Sequence, residues 1–255
     1  MHGAIVVQVV ETRGSTPRED GAAMRVSTDD VTGSIGGGAL EWEAIRIARK
    51  MLADGACNHV QTFPLGPDLG QCCGGAVTLG FTEGARAVEP SGPPLWIWGA
   101  GHVGRAIAAA VGPIEYHQVT LIDDHANRLP NPMPTHVQPM VAIDMPRAVA
   151  HAPKDAEHFI LTYSHDIDLA LCDALLRRGF RNCGLIGSAT KWARFRKGLG
   201  QMGHADAQIS RIQCPIGDPS LGKHPQAIAI GVAARLLGKQ MPQESAVPAP
   251  TSGGT

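Results

Sequence analysis

Leu95-Trp96-Ile97-Trp98 runs directly into Gly99-Ala100-Gly101-His102-Val103-Gly104, and this stretch decides the fold. The four apolar residues read as a buried strand. The glycines have the G-x-G-x-x-G spacing, and the apolar-periodic segment Val103–Val111 that follows reads as a helix. Gly99 permits a tight turn, Gly101 lets a phosphate approach the backbone, and Gly104 lets helix and strand pack closely. The helix N-terminus adds unpaired N–H groups and a partial positive charge suited to an anion. A second strand, Val119–Asp123, ends in a carboxylate 24 residues after Gly99, near where a Rossmann unit places the acid that binds a ribose. Strand, glycines, helix, strand and acid in that order predict a Rossmann-like unit. The glycine spacing alone would not, because glycine supplies 31 of the 255 residues.

Working outward, the chain has the length of one large domain or two small ones. With 44% apolar residues, 18% charged residues and a formal net charge of −1, it has no electrostatic reason to bind nucleic acid or an anionic membrane surface. Aromatics at 4% leave little material for stacking bases. No apolar stretch has the length of a membrane span, and the start MHGAIVVQVVETRG lacks a basic region followed by a cleavage site. The expectation is a cytoplasmic protein. Its six cysteines, at 57, 72, 73, 172, 183 and 214, contain no C-x-x-C pair, which argues against a zinc knuckle. In a reducing compartment they are expected to be free thiols.

Ala4–Val10 reads as a strand, followed by the polar loop ETRGSTPREDG. Met24–Val26 and Val31–Ile35 read as short strands. Ala39–Leu52, with apolar residues at 42, 45, 48 and 52, reads as a helix, and Val60–Phe63 and Ala76–Phe81 as further strands. The Gly/Pro-rich segment 84–94 is a linker by composition. The expected fold class is therefore α/β: a small mixed α+β domain over 1–88, then a Rossmann-like doubly wound parallel sheet over 94–240. Residues 241–255 are expected to form a disordered tail. Within the second domain, strands are expected at His136–Met140, His158–Thr162, Gly184–Gly187 and Ser210–Cys214, and helices at Ile167–Leu176, after Ser188, and at Gln226–Leu237.

Several stretches can carry chemistry. Cys72-Cys73-Gly74-Gly75 lies in a Gly/Pro-rich loop where thiols can reach a ligand, and soft metals favour thiolates. Two small residues packed under a loop would look the same. Gly36-Gly37-Gly38 feeds a helix N-terminus and reads either as an anion cradle or as a sharp strand-to-helix turn. Ser164-His165-Asp166 follows a strand at the end where open α/β sheets bind ligands, so His165 is a candidate donor or ligand, with Ser164 or Asp166 as the helix cap. Ser188 opens another helix after a glycine turn and can cap it or face a phosphate. Residues 217–225 read as a ligand-covering loop or an ordinary connector.

Taken together, the chain resembles the xanthine dehydrogenase accessory family, which includes carbon monoxide dehydrogenase maturation proteins. The matching stretches are GSTPREDG at 14–21, GSIGGGALEWEA at 33–44, LGQCCGG at 69–75, WGAGHVGRA at 98–106, LIDD at 121–124, SHDIDL at 164–169, GLIGSATKWARFR at 184–196 and CPIG at 214–217. The resemblance implies a two-domain, non-catalytic chaperone. It would bind molybdenum cofactor, protect it while its terminal sulfido ligand is installed, and deliver it to apo xanthine dehydrogenase or a related molybdenum hydroxylase of purine metabolism. A cysteine desulfurase would supply the sulfur, and a homodimer is the expected assembly. Cys72 or Cys73 would contact the molybdenum or the sulfur-transfer step. The turns at Gly36, Gly37, Gly38 and at Gly99, Gly101, His102, Gly104, with Asp123, His165 and Ser188, would take the pterin phosphate or a nucleotide. The rival is an NAD(P)-dependent oxidoreductase using Gly99, Gly101, Gly104 and Asp123, with His165 as its acid–base group.

Overall fold

A computed structural model describes residues 3–36, 38–66, 74–84, 92–114 and 116–238. The chain forms two units, Met1–Glu89 and Pro90–Thr255. The expected tail and most of the expected linker lie outside the described residues.

The first unit is an antiparallel sheet of five strands: β1 (Ile5–Arg13), β2 (Ala23–Val26), β3 (Val31–Gly33), β4 (Asn58–Pro64) and β5 (Ala76–Glu83), in the order β3-β2-β1-β5-β4. β1 runs past Val10 to Arg13, further than its apolar content indicates. Its polar end pairs with the start of β5, Arg13 opposite Ala76, after a register shift between Val9 and Glu11. One helix, α1 (Gly38–Asp54), packs on the sheet through Leu40, Ala44, Ala48 and Met51. This face differs from the one expected at 42, 45, 48 and 52. Small alanines at i and i+4 let the helix axis approach the sheet, and Trp42 is turned outward, 74% exposed.

The second unit is a six-stranded parallel sheet: β6 (Leu95–Trp98), β7 (Val119–Asp123), β8 (Val137–Val141), β9 (Glu157–Ile160), β10 (Asn182–Leu185) and β11 (Ile212–Gln213). Its order, β11-β10-β9-β6-β7-β8, is the doubly wound Rossmann order, with the reversal between β6 and β9. Two layers of helix explain why β6 is apolar throughout. Leu95 and Ile97 pack under α2 (His102–Val111) and α7 (Pro225–Gly238). Trp96 and Trp98 face the other way, under α3 (Met145–Ala148), α4 (His165–Arg178) and α5 (Ala189–Gln201). A strand buried on both faces has no solvent side on which to alternate. A four-residue helix, α6 (Asp206–Ile209), leads into β11. No helix among the described residues is long and apolar enough to cross a membrane.

Candidate functional site

In the first unit, topology collects three motifs at one edge of the sheet. β1 and β3 end there, β5 begins there and β4 ends there, because β1 is antiparallel to β2 and β5, β3 to β2, and β4 to β5. Gly14–Arg18, Gly33–Gly36 and the two flanks of the cysteine segment, Leu65–Gly66 and Gly74–Gly75, therefore emerge together. Leu65 and the two glycines close that last segment: Leu65 N donates to Gly75 O at 2.8 Å and Gly74 N to Leu65 O at 3.0 Å. Gly75 lies so tightly under the Gly14–Arg18 loop that a Cβ would sit 2.3 Å from Ser15 O. Cys72, Cys73 and Gly37 lie outside the described residues; Gly74 and Gly75, which follow the cysteines in sequence, are held against Ser15.

The turn into α1 supplies its own anion. Glu41 Oε1 accepts from Ser34 Oγ at 2.5 Å, Ile35 N at 3.1 Å and Gly36 N at 2.9 Å. A carboxylate at a helix N-terminus is favourable on both hydrogen-bond and dipole grounds. Gly36 is needed for packing as well, since a Cβ would meet Arg18 Cγ at 2.7 Å and Pro17 Cβ at 2.8 Å. Gly38, by contrast, has open space where a side chain would be.

In the second unit, the glycine turn stands at the strand-order reversal. Gly99 (φ +110°) has no room for a side chain, since a Cβ there would sit 2.5 Å from Leu161 O, and a Cβ at Gly104 would sit 1.9 Å from Gly99 O. Gly101 and His102 are exposed, nothing lies within 4 Å of a Cβ at Gly101, and α2 has no side-chain cap. Asp123 is 2% exposed. Its Oδ2 accepts from Ala100 N at 2.7 Å and its Oδ1 from Asp124 N at 2.9 Å, so the carboxylate expected to meet a ribose braces the glycine turn. Burial pushes its pKa up, reinforced by the adjacent Asp124. Burial opposes ionisation of Asp124 too, but hydrogen bonds from Tyr163 and His125 outweigh it and hold that carboxyl well below the usual range.

His165 is exposed at the start of α4, its ring edge-on to Phe195 at 6.3 Å. Ser164, not Asp166, caps α4 by accepting from Ile167 N, and Ser188 caps α5 by accepting from Lys191 N. These positions share the carboxyl edge of the sheet with the glycine turn: β6, β9 and β10 are parallel neighbours, and Gly99, Ser164 and Ser188 each follow one of them.

Residue types alone did not reveal the framework beneath. Asp168 is 1% exposed and accepts from Lys191 Nζ at 2.6 Å, Thr162 Oγ1 at 2.7 Å and Thr162 N at 3.0 Å; Lys191 also donates to Ile186 O at 2.9 Å. One buried ion pair thereby ties the ends of β9 and β10 to the starts of α4 and α5. A second group was equally hidden. Asp124, His125 and Asp123 lie within 4.8 Å of one another, with Arg128 between the carboxylates at 3.3 and 3.4 Å. Tyr163 Oη donates to Asp124 at 2.6 Å, and the Arg128 guanidinium lies 4.3 Å from the Tyr163 ring centre. Partners 23 and 39 residues apart leave no local pattern to read.

Comparison with known proteins gives a consistent result. Residues 95–236 match the family described as the XdhC Rossmann domain, and residues 2–64 match the XdhC and CoxI family. Uncharacterized protein YqeB of Escherichia coli (strain K12) is 29% identical over 236 residues, 91% of this chain and 42% of that protein. The chain thus spans less than half the length of that relative. A Bacillus halodurans protein whose crystal structure is described as that of a xanthine dehydrogenase superposes with a TM-score of 0.68. That match covers 97% of this chain and 94% of the other at 16% identity, a likeness of fold.

Proposed function

The chain belongs to the XdhC family, and from that premise we propose that it is an accessory protein in the maturation of xanthine dehydrogenase-type enzymes, with molybdenum cofactor as its cargo. In this reading it holds the cofactor while a cysteine desulfurase supplies sulfur, then passes it to an apo molybdenum hydroxylase. The observation that supports the cargo reading is the convergence of Gly14–Arg18, Gly33–Gly36 and the two flanks of the cysteine segment, Leu65–Gly66 and Gly74–Gly75, on one sheet edge. A segment containing adjacent thiols, with its return anchored at Gly74 and Gly75, can present a soft ligand from a fixed base. Cys72 and Cys73 are the residues that would meet the metal end of the cofactor.

The Rossmann crevice supports a second contact of the same general kind. Gly99, Gly101, His102 and Gly104 offer an uncapped helix start where a phosphate is favoured. His165 and Ser188 stand along the same sheet edge. We assign this crevice to a phosphate-bearing group, a pterin phosphate or a nucleotide. The oxidoreductase alternative relies on Asp123 for the ribose, and that carboxylate is engaged with Ala100 and Asp124.

The test is molybdenum and pterin analysis of protein purified anaerobically from a molybdenum-replete host. Near-stoichiometric molybdenum and pterin, lost in Cys72→Ser/Cys73→Ser, is the expected result. Retention by the double variant removes the thiols from the proposal. Absence of both from wild-type protein, while a control molybdoenzyme loads normally, overturns the cargo reading.

A further inference from the structure

The second unit carries a side-chain bridge directly across its own crevice. β9 and β7 are the two neighbours of β6, so their ends lie on either side of the glycine turn. With adjacent strands about 4.8 Å apart, those ends are separated by about 10 Å. Tyr163, beyond the end of β9, reaches Asp124, beyond the end of β7, and donates its hydroxyl at 2.6 Å. Arg128 lies against the face of the same ring and pairs with Asp124 at 3.3 Å. The side chains therefore occupy the line across the strand ends along which a Rossmann crevice lays an extended nucleotide.

The bridge is built to release. Tyr163 is 62% exposed, so no apolar pocket seats its ring. What holds it is one hydrogen bond to a largely buried carboxylate and one partly exposed guanidinium face. The frame beneath is rigid by comparison: Asp123 is tied to Ala100, and Asp168 fixes Thr162 from both its N–H and its hydroxyl.

We infer that Tyr163, Asp124 and Arg128 form a strap over the glycine turn, which a phosphate-bearing ligand must open to enter the crevice. The inference rests on the phosphate reading of that crevice given above. Once the hydroxyl leaves Asp124, the ring lifts off the Arg128 guanidinium, which stays paired with Asp123 and Asp124, and the face it uncovers becomes part of the bound site. Ligand entry is thereby coupled to movement of the loop that leads into α4.

ADP is a suitable probe, since its diphosphate suits the glycine turn and its nucleoside reaches along the strand ends. In calorimetric titration, Tyr163→Phe and Tyr163→Ala are expected to bind ADP about tenfold more tightly than wild type, the scale of one charge-assisted hydrogen bond no longer broken on entry. Equal affinity in all three proteins overturns the strap and leaves the phosphate reading standing. No saturable binding by any of them at millimolar ADP overturns both. A spectroscopic readout accompanies this, because the chain has only two tyrosines. The bond to Asp124 raises the Tyr163 phenol above its ordinary range. One of the two phenols is expected to titrate late in the free protein and to return to the ordinary range on saturation with ADP. A late titration that persists in the complex overturns the opening step.

Discussion

Asp168 is an anion with three donors and almost no water, and that environment makes it the residue on which the site framework depends most. Removing Lys191 would leave the carboxylate buried and without its cation, a change that typically costs about 3–5 kcal/mol. Lys191→Met is accordingly expected to lose that much stability in urea unfolding, and a loss below about 1 kcal/mol would refute the account. His158 poses a different problem. It is fully buried between Trp96 and Cys183 in the strand register, and Trp98 Nε1 donates to its Nδ1 at 3.2 Å. Nδ1 must be the bare nitrogen, so the proton sits on Nε2, which meets no acceptor among the described residues. Burial pushes the pKa down to about 4. Between that value and the unfolded value near 6.5, the unfolded chain holds a proton that the folded chain excludes. Stability therefore rises with pH through this window, and the contribution is lost as pH falls from 6.5 toward 4. Wild type is expected to lose about 3 kcal/mol more than His158→Leu between pH 7 and pH 4. Parallel pH profiles for the two proteins would show that the imidazole is not the cause.

At the scale of the element, the glycine turn separates positions that look alike in sequence. A methyl at Gly104 would sit 1.9 Å from the Gly99 carbonyl, a backbone atom with nowhere to go, whereas one at Gly101 would touch nothing within 4 Å. Gly104→Ala is expected to cost about 2–3 kcal/mol and Gly101→Ala less than about 1 kcal/mol, measured by chemical denaturation. Comparable losses would mean that close packing is not what reserves Gly104. This turn was legible because three glycines between an apolar strand and an apolar-periodic helix are a local pattern. Other elements were not. The polar end of β1, Glu11–Arg13, is a strand only because β5 is there to pair with it. The α3 helix is four residues long with a proline near its start, too short to display a period. On α1 the larger side chains at 42, 45 and 52 outweighed the alanines in the pattern, yet Ala44 and Ala48 are the residues that meet the sheet. The glycine turn before α1 left two readings open, and what fills it, Glu41, lies seven residues beyond Ser34.

At the scale of the molecule, local pattern indicated a Rossmann-like doubly wound sheet, whose strand order gives it a crevice, but not which side chains meet across that crevice. That order depends on which strand β9 joins, and β9 returns beside β6 after a connection that passes through β7 and β8. The cross-strand contacts at the crevice follow from this return, which is why Tyr163 and Asp124 meet at all. The same strand order determines how far each unit can stand alone. The apolar core of the first unit runs from Ile5 to Phe81, and both cores of the second are built from residues at or beyond Leu95. No core cluster among the described residues draws on both. A chain of roughly 150 residues with helices on both sheet faces buries enough surface to fold unaided. Residues 90–238 expressed alone are therefore expected to unfold cooperatively, at the same denaturant midpoint as the matching transition in the full chain. They should also retain the late-titrating tyrosine, because Tyr163, Asp124 and Arg128 all lie within them. A fragment that is soluble but molten, paired with a single transition in the full chain, would mean that the second unit draws stability from beyond its own cores. In that case the strap would have to be studied in the intact protein alone.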